Sequence, residues 1–189
     1  MLGGASGTGK TQVSYRLAQH FAVGLTEVDD FQVLLERMTM PGQQPVLHFW
    51  RTHPDLGSLS AEQVFEQGLE VGRVMAAGLE AVIANHLAEQ TPVVLEGDFI
   101  HPELAARPHF DDQPNDGRVR SVFLYERDET QLLANFALRE PGDEPPTKRA
   151  RASWLYGEWL KSEAGRWGQP ILEARPWSSL FERLLRVVA

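Results

Sequence analysis

Residues 1–12 read MLGGASGTGKTQ, and within them Gly4-Ala5-Ser6-Gly7-Thr8-Gly9-Lys10-Thr11 fits the phosphate-binding pattern G-x-x-x-x-G-K-[ST] at every fixed position. Glycines let the backbone fold tightly, so that several N–H groups point at one phosphate. The helix that follows adds its positive N-terminal end. Lys10 is placed to reach the β- and γ-phosphates, and the Thr11 hydroxyl to ligate Mg²⁺. The bland alternative is a glycine-rich turn with an accidental Lys-Thr. Context weighs against it, because the stretch lies at a strand-to-helix transition in a chain that alternates strands and helices. The same stretch poses a difficulty: such a loop normally follows a buried strand, and only three residues precede it. Met1-Leu2 supplies no more than the strand's last step. An empty central slot would orphan backbone groups of both neighbours, at order 1 kcal/mol or more for each buried group. The expectation is a sheet whose first strand is truncated and a natural chain that starts upstream.

Working outward, Val13, Leu17 and Phe21 recur at helical spacing, so a first helix starts inside the loop. GLTEVDDF reads as a strand over 25–28 ending in Asp29-Asp30, and residues 31–40 as a helix stopped by Pro41-Gly42. Residues 41–59 show no period. Ser60-Ala61-Glu62-Gln63 is a capping box, and the apolar face behind it predicts a long helix. Val93-Val94-Leu95 is an unbroken apolar run, as in a strand covered on both faces. Residues 111–117 read as a turn-rich loop, VRSVFLYE as a strand, 129–140 and 154–164 as helices, PILEARPW as a last strand and 178–188 as a closing helix. Alternation of this kind argues for one three-layer α/β/α domain over residues 1–189 with a mainly parallel sheet. A helical substrate-binding insertion is expected at about 31–88 and a small helical lid at about 139–152.

Composition narrows the partners. The net charge of −8 disfavours nonspecific binding to nucleic acid or to an anionic membrane. No run approaches the roughly 20 apolar residues of a membrane span. The chain's opening reads as a loop, not as an apolar leader. With no cysteine there is neither a disulfide nor a thiolate metal site, which fits a cytoplasmic protein. The acting partner expected is a small molecule.

Acids at strand ends are the next candidates, because ligands of an open α/β sheet bind beyond the carboxyl ends of its strands. Asp29 or Asp30 could accept a proton from a substrate hydroxyl, or could cap a helix; Asp29 is preferred for the chemistry. Glu96 ends the apolar strand and is expected to hold Mg²⁺ or its water, with Asp98 as a second acid. Phosphoryl transfer also needs cations on the migrating group with water excluded. Arg139, Lys148, Arg149 and Arg151, beside Pro141-Gly142 and Pro145-Pro146, offer a basic lid or simply a solvated helix start. Arg37, His48, Arg51, His53 and Arg73 are available to an anionic acceptor, although each alone reads as a surface or packing residue. The histidines show no metal-ligand spacing. Phe49-Trp50, Trp154 and Trp159 read as core.

GGASGTGKT, VDDF and VVLEGDFIHPEL, in that order, resemble the small-molecule kinases of the nucleoside-monophosphate-kinase-like P-loop class. Within it, the loop and the hydrophobic-Glu-Gly strand followed by His-Pro look most like 2-phosphoglycerate kinase-like proteins. The specific motifs cover about 30 residues. The resemblance implies ATP and Mg²⁺, with Gly4, Gly9, Lys10 and Thr11 on the phosphates and metal. It also implies Asp29 near the acceptor hydroxyl, Arg149 or a neighbour in the lid, and Ala174-Arg175-Pro176 near the adenine. Chloramphenicol-phosphotransferase-like and nucleoside-kinase-like proteins share the VDDF style of acid. The leading functional expectation is transfer of the ATP γ-phosphate to a hydroxyl of a small, anionic metabolite. The alternative is a nucleotide-binding ATPase or regulator without that activity. A GTPase would want a guanine-reading N-K-x-D segment, which the sequence lacks.

Overall fold

The strand that the loop requires is present and central. In the computed structural model, which describes residues 1–142 and 144–188, Leu2–Gly4 forms β1. Gly3 and Gly4, which lead into the loop, belong to the strand. The strand is only three residues long but takes the central place: Leu2 and Gly3 pair with Glu96 and Gly97 on one side, and Leu2–Gly4 with Val122–Leu124 on the other.

After β1 come α1 (Lys10–Phe21), β2 (Gly24–Glu27), α2 (Val28–Met38), α3 (Pro45–Thr52), a 3₁₀ turn (Leu56–Ser58) and α4 (Ala61–Ala88). Then follow β3 (Val93–Gly97), α5 (Pro102–Ala105), a small hairpin of β4 (His109–Phe110) and β5 (Gln113–Pro114), and β6 (Val122–Tyr125). The chain continues through α6 (Glu129–Arg139), α7 (Thr147–Arg166) and β7 (Ile171–Glu173) to α8 (Trp177–Val188). The main sheet has the order β2-β3-β1-β6-β7, with every pair parallel.

The pleat sorts the core into two layers. Leu2, Val122 and Leu124 face one side, where Val13 and Leu17 of α1 and Leu180 and Leu184 of α8 cover them. Phe123 and Leu95 belong to the other layer, with Val71, Met75, Leu79 and Ile83 of α4 and Tyr156 and Leu160 of α7. Leu132, Phe136 and Ala150 form a third, small cluster between α6 and α7. Each fully buried leucine or phenylalanine in these layers contributes about 1.5–3 kcal/mol of apolar burial.

Local signals explain most element ends. Ser60 and Gln63 cap α4 reciprocally: Ser60 Oγ accepts from the Gln63 amide at 3.2 Å, and Gln63 Oε1 from the Ser60 amide at 2.8 Å. Three elements depart from the sequence reading. α2 starts at Val28, not residue 31, so Asp29 and Asp30 occupy its first turn, where negative charge suits the helix dipole. α3 lies inside the stretch read as aperiodic, and its start at Pro45 is the proline-first pattern. α7 begins at Thr147, directly after Pro146, so Lys148, Arg149 and Arg151 are helical. Of the expected lid, Asp143 lies outside the described residues. No described helix is long and apolar enough to cross a membrane.

Candidate functional site

Two cavities stand out. One, of about 440 Å³, is largely apolar and lies at the amino end of the sheet, among Leu17, Val23, Ile83, Leu87 and Val93. The other, of about 640 Å³, opens at the carboxyl ends of the strands and is lined by the loop, four acids and two arginines. Chemistry favours the second, where titratable groups converge.

Residues 5–9 form the loop between β1 and α1. Gly7 and Gly9 adopt left-handed φ of 78° and 79°, a region that costs other residues strain. The Thr8 hydroxyl donates to the Ala5 carbonyl at 2.7 Å. Asn135 of α6 donates to the Gly7 carbonyl at 2.9 Å, and Ser153 of α7 to the Ser6 carbonyl. With its carbonyls held from outside, the loop turns its N–H edges toward the cleft. Gly9 caps α1 without any side-chain bond, and no acid stands in the first turn. The amide donors of that turn are therefore open to an anion. Gly4 belongs to β1 and Ala5 is fully buried behind the loop, while Ser6, Gly7, Gly9, Lys10 and Thr11 line the cleft.

Two acids and a backbone carbonyl surround Lys10. Its ammonium sits 3.0 Å from the Ala5 carbonyl, 2.6 Å from Asp98 Oδ1 and 4.0 Å from Glu96 Oε1. Glu96 Oε2 accepts from the Thr11 hydroxyl at 3.2 Å. Burial pushes the Glu96 carboxyl up to about 6; Lys10 opposes this and the nearby Asp98 adds to it. Asp29 is also pushed up to about 6, first by burial and then by Asp98. As a residue Asp29 is open to solvent, but its carboxyl is set into the cleft floor: a Cβ on Gly97 would lie 3.5 Å from Asp29 Oδ1. Asp29 does not cap α2. The N-cap is Glu27, which makes no side-chain cap bond, so the acid is spent on no structural bond of that kind.

Arg139 and Arg149 approach from α6 and α7. Both pair with Glu140, and Arg149 stacks over Phe136 at 4.6 Å. Phe136 itself packs under Gly7. Arg151 is held apart by Glu129 at 3.0 Å, and Lys148 by the Gly57 carbonyl. Arg175 is not among the residues lining this cleft, and its Nε lies 3.5 Å from the buried Glu126. Trp177, two residues on, does line the cleft, with its indole laid against Gly9. Asn135, Ser153 and Trp177 were beyond sequence reading. An amide or hydroxyl on a helix carries no signature of a loop more than 100 residues away.

The basic residues offered to an anionic acceptor do not converge. Arg51 pairs with Glu36 and Arg73 with Glu70. His48 is buried against the Thr39 hydroxyl at 3.1 Å, and His53 packs on Phe49. Arg37 lies on the exposed side of α2. None of the five lines the cleft, whose cations are Lys10, Arg139 and Arg149.

Solved structures share this architecture. The chain is similar to a gluconokinase from Sinorhizobium meliloti 1021 at 16% identity and TM-score 0.51, covering 99% of this chain and 89% of that one. It is similar to a sugar kinase from Janibacter sp. HTCC2649 at 17% identity and TM-score 0.55, covering 99% and 91%. A shikimate kinase from Bacteroides thetaiotaomicron matches at 17% identity and TM-score 0.50, over 99% and 95%. At such identities the likeness shows the fold alone, a three-layer α/β/α architecture with a parallel five-stranded sheet. No protein-family profile matches the chain, and no curated protein matches it in sequence.

Proposed function

We propose that the chain is an ATP- and Mg²⁺-dependent phosphotransferase that moves the γ-phosphate to a hydroxyl of a small metabolite. One observation carries this reading: Lys10 and Thr11 of a phosphate-binding loop share a cleft with Asp29, Glu96 and Asp98, and with two arginines from α6 and α7. The fold neighbours, whose printed names are kinases of small molecules, support it.

In this reading the loop amides and Lys10 hold the β- and γ-phosphates. Arg149 and Arg139 stand across the cleft, where they offset charge on the transferring group. Asp29 takes the proton of the acceptor hydroxyl as its oxygen bonds to the γ-phosphorus and the bond to the β–γ bridging oxygen breaks. The base lies along Trp177, beyond the loop.

Mg²⁺ fits the donors present. Thr11 Oγ1 and Glu96 Oε2 are hard oxygens 3.2 Å apart, and burial leaves the Glu96 carboxylate short of compensating charge. Among the described residues no three His, Asp or Glu side chains converge on one metal position, so phosphate and water would complete the shell, as Mg²⁺ commonly requires. Held by Thr11 and Glu96, the ion would neutralise charge developing on the phosphates. The acceptor need not be anionic, since no cation of the α2–α4 region enters the cleft.

The test is ATP consumption with purified protein and a panel of small alcohols. Transfer to an alcohol should exceed hydrolysis to water severalfold, and Lys10→Ala should abolish transfer with circular dichroism unchanged. Binding without transfer to any alcohol would replace the kinase reading with the ATPase or regulator reading.

A further inference from the structure

Asp98 takes no part in the reaction as described, yet it is Lys10's nearest partner. Its carboxylate is 2.6 Å from the Lys10 ammonium and about one-third exposed to the cleft, while the lysine is almost fully buried. The backbone at Asp98 is fixed from behind, because the buried Tyr156 hydroxyl of α7 donates to the Asp98 carbonyl. Asp29 lies against Gly97, the residue before it. Two carboxylates therefore border one space, and Lys10 is the cation that makes this tolerable.

A triphosphate draws Lys10 away, since an ammonium bonds best where negative charge is densest. Asp98 then stands beside Asp29 without its cation. Adjacent carboxylates in that state repel unless donors come between them. The remaining cations of the cleft, Arg139 and Arg149, both pair with Glu140, and Arg149 stacks over Phe136, which packs under Gly7 of the phosphate loop. With Mg²⁺ held at Thr11 and Glu96, the acceptor is the group that brings donors to this pair.

We propose, resting on the phosphotransferase reading, that Asp98 serves two partners in turn: it holds Lys10 before nucleotide binds, and afterwards accepts a hydrogen bond from a second hydroxyl or an ammonium group of the acceptor. Asp29 takes the reacting hydroxyl and Asp98 its neighbour. The acceptor class is then a vicinal diol or amino alcohol with no carboxylate or phosphate at that end.

Calorimetry with a nonhydrolysable ATP analogue and Mg²⁺ tests the first partner. Asp98→Asn should tighten analogue binding about fivefold, because Lys10 no longer leaves an ion pair. Glu27→Gln removes a negative charge from the same cleft, where Glu27 has Tyr15 as its partner, and should change affinity less than twofold. Equal tightening in both variants, or none in Asp98→Asn, overturns the handover. Wild-type protein that binds no analogue sinks the kinase reading itself. The second partner is tested with alcohols carrying an amine, no charge, a carboxylate or a phosphate. The best acceptor should be an amino or uncharged alcohol, and Asp98→Asn should lower its kcat/KM at least tenfold without raising the KM for ATP. A carboxylated or phosphorylated alcohol as best acceptor, or an unchanged kcat/KM, overturns the acceptor assignment.

Discussion

At the scale of single residues, Asp29 is the sharpest case. It stands in the first turn of α2, makes no cap, and has a carboxyl pushed up to about 6 from 3.8 by burial and by Asp98. As a general base it should act only when ionised, so kcat/KM should rise with pH through about 6. Asp29→Asn should depress turnover by about 10²- to 10⁴-fold while leaving the Kd for MgATP within about twofold; steady-state rates and calorimetry check this. The same group weakens the fold. Between its unfolded value of 3.8 and its folded value of about 6 the native state holds a proton that the unfolded chain has lost. Its contribution to stability is therefore full below about 4 and is lost as pH rises through 6. Asp29→Asn should raise Tm at pH 7.5 and give no gain at pH 4. A flat difference between the two pH values would mean that the carboxyl is not held up in the folded protein.

At the scale of elements, two contacts hold the site's walls. Gly72 of α4 meets His101, the N-cap of α5, where an added Cβ would lie 2.1 Å from His101 Nε2. The histidine cannot move aside, because Trp159 meets its ring edge-on at 4.7 Å. Burial, with Arg73 adding to it, pushes that ring's pKa down to about 4, so it stays neutral at pH 7. Helix propensity alone would favour alanine at this position by about 1 kcal/mol. Overpacking opposes it, and Gly72→Ala should destabilise by about 1–3 kcal/mol net in urea unfolding. Adding His101→Ala should recover most of that loss. The second contact is α8 on the loop through Trp177. Trp177→Ala should weaken MgATP about tenfold, as loss of base stacking would, but leave inorganic tripolyphosphate unchanged. Equal losses for both would make Trp177 a support for the loop and not a platform for the base.

At the scale of the molecule, the phosphate loop is braced by elements from the far end of the chain: α6 through Asn135, α7 through Ser153 and α8 through Trp177. Nucleotide should therefore stabilise the whole domain. At 100 times Kd, ligand binding adds about 2.7 kcal/mol, which for a domain of this size raises Tm by about 5–10 °C. A scan with and without MgATP checks this. Lys10→Ala should remove most of the shift.

What could be read from residues alone were features decided over a few positions. The loop motif, the Ser60–Gln63 box, the helical spacing of Val13 and Leu17 and the apolar run before Glu96 each depend on neighbours within a turn or a strand. Their alternation was enough to place the fold. The extent of β1 was hard to read because two of its three residues are glycines, weak strand formers by propensity, held in the sheet by partners on both sides. The occupants of the cleft were settled only by packing. Lys10 meets Asp98 across 88 positions, Asn135 meets Gly7 across 128, and Arg51 and Arg73 of the α2–α4 region found acids of their own. Such pairings follow from where whole layers come to rest, and a side chain's local sequence carries no record of what the far end of the chain will set beside it.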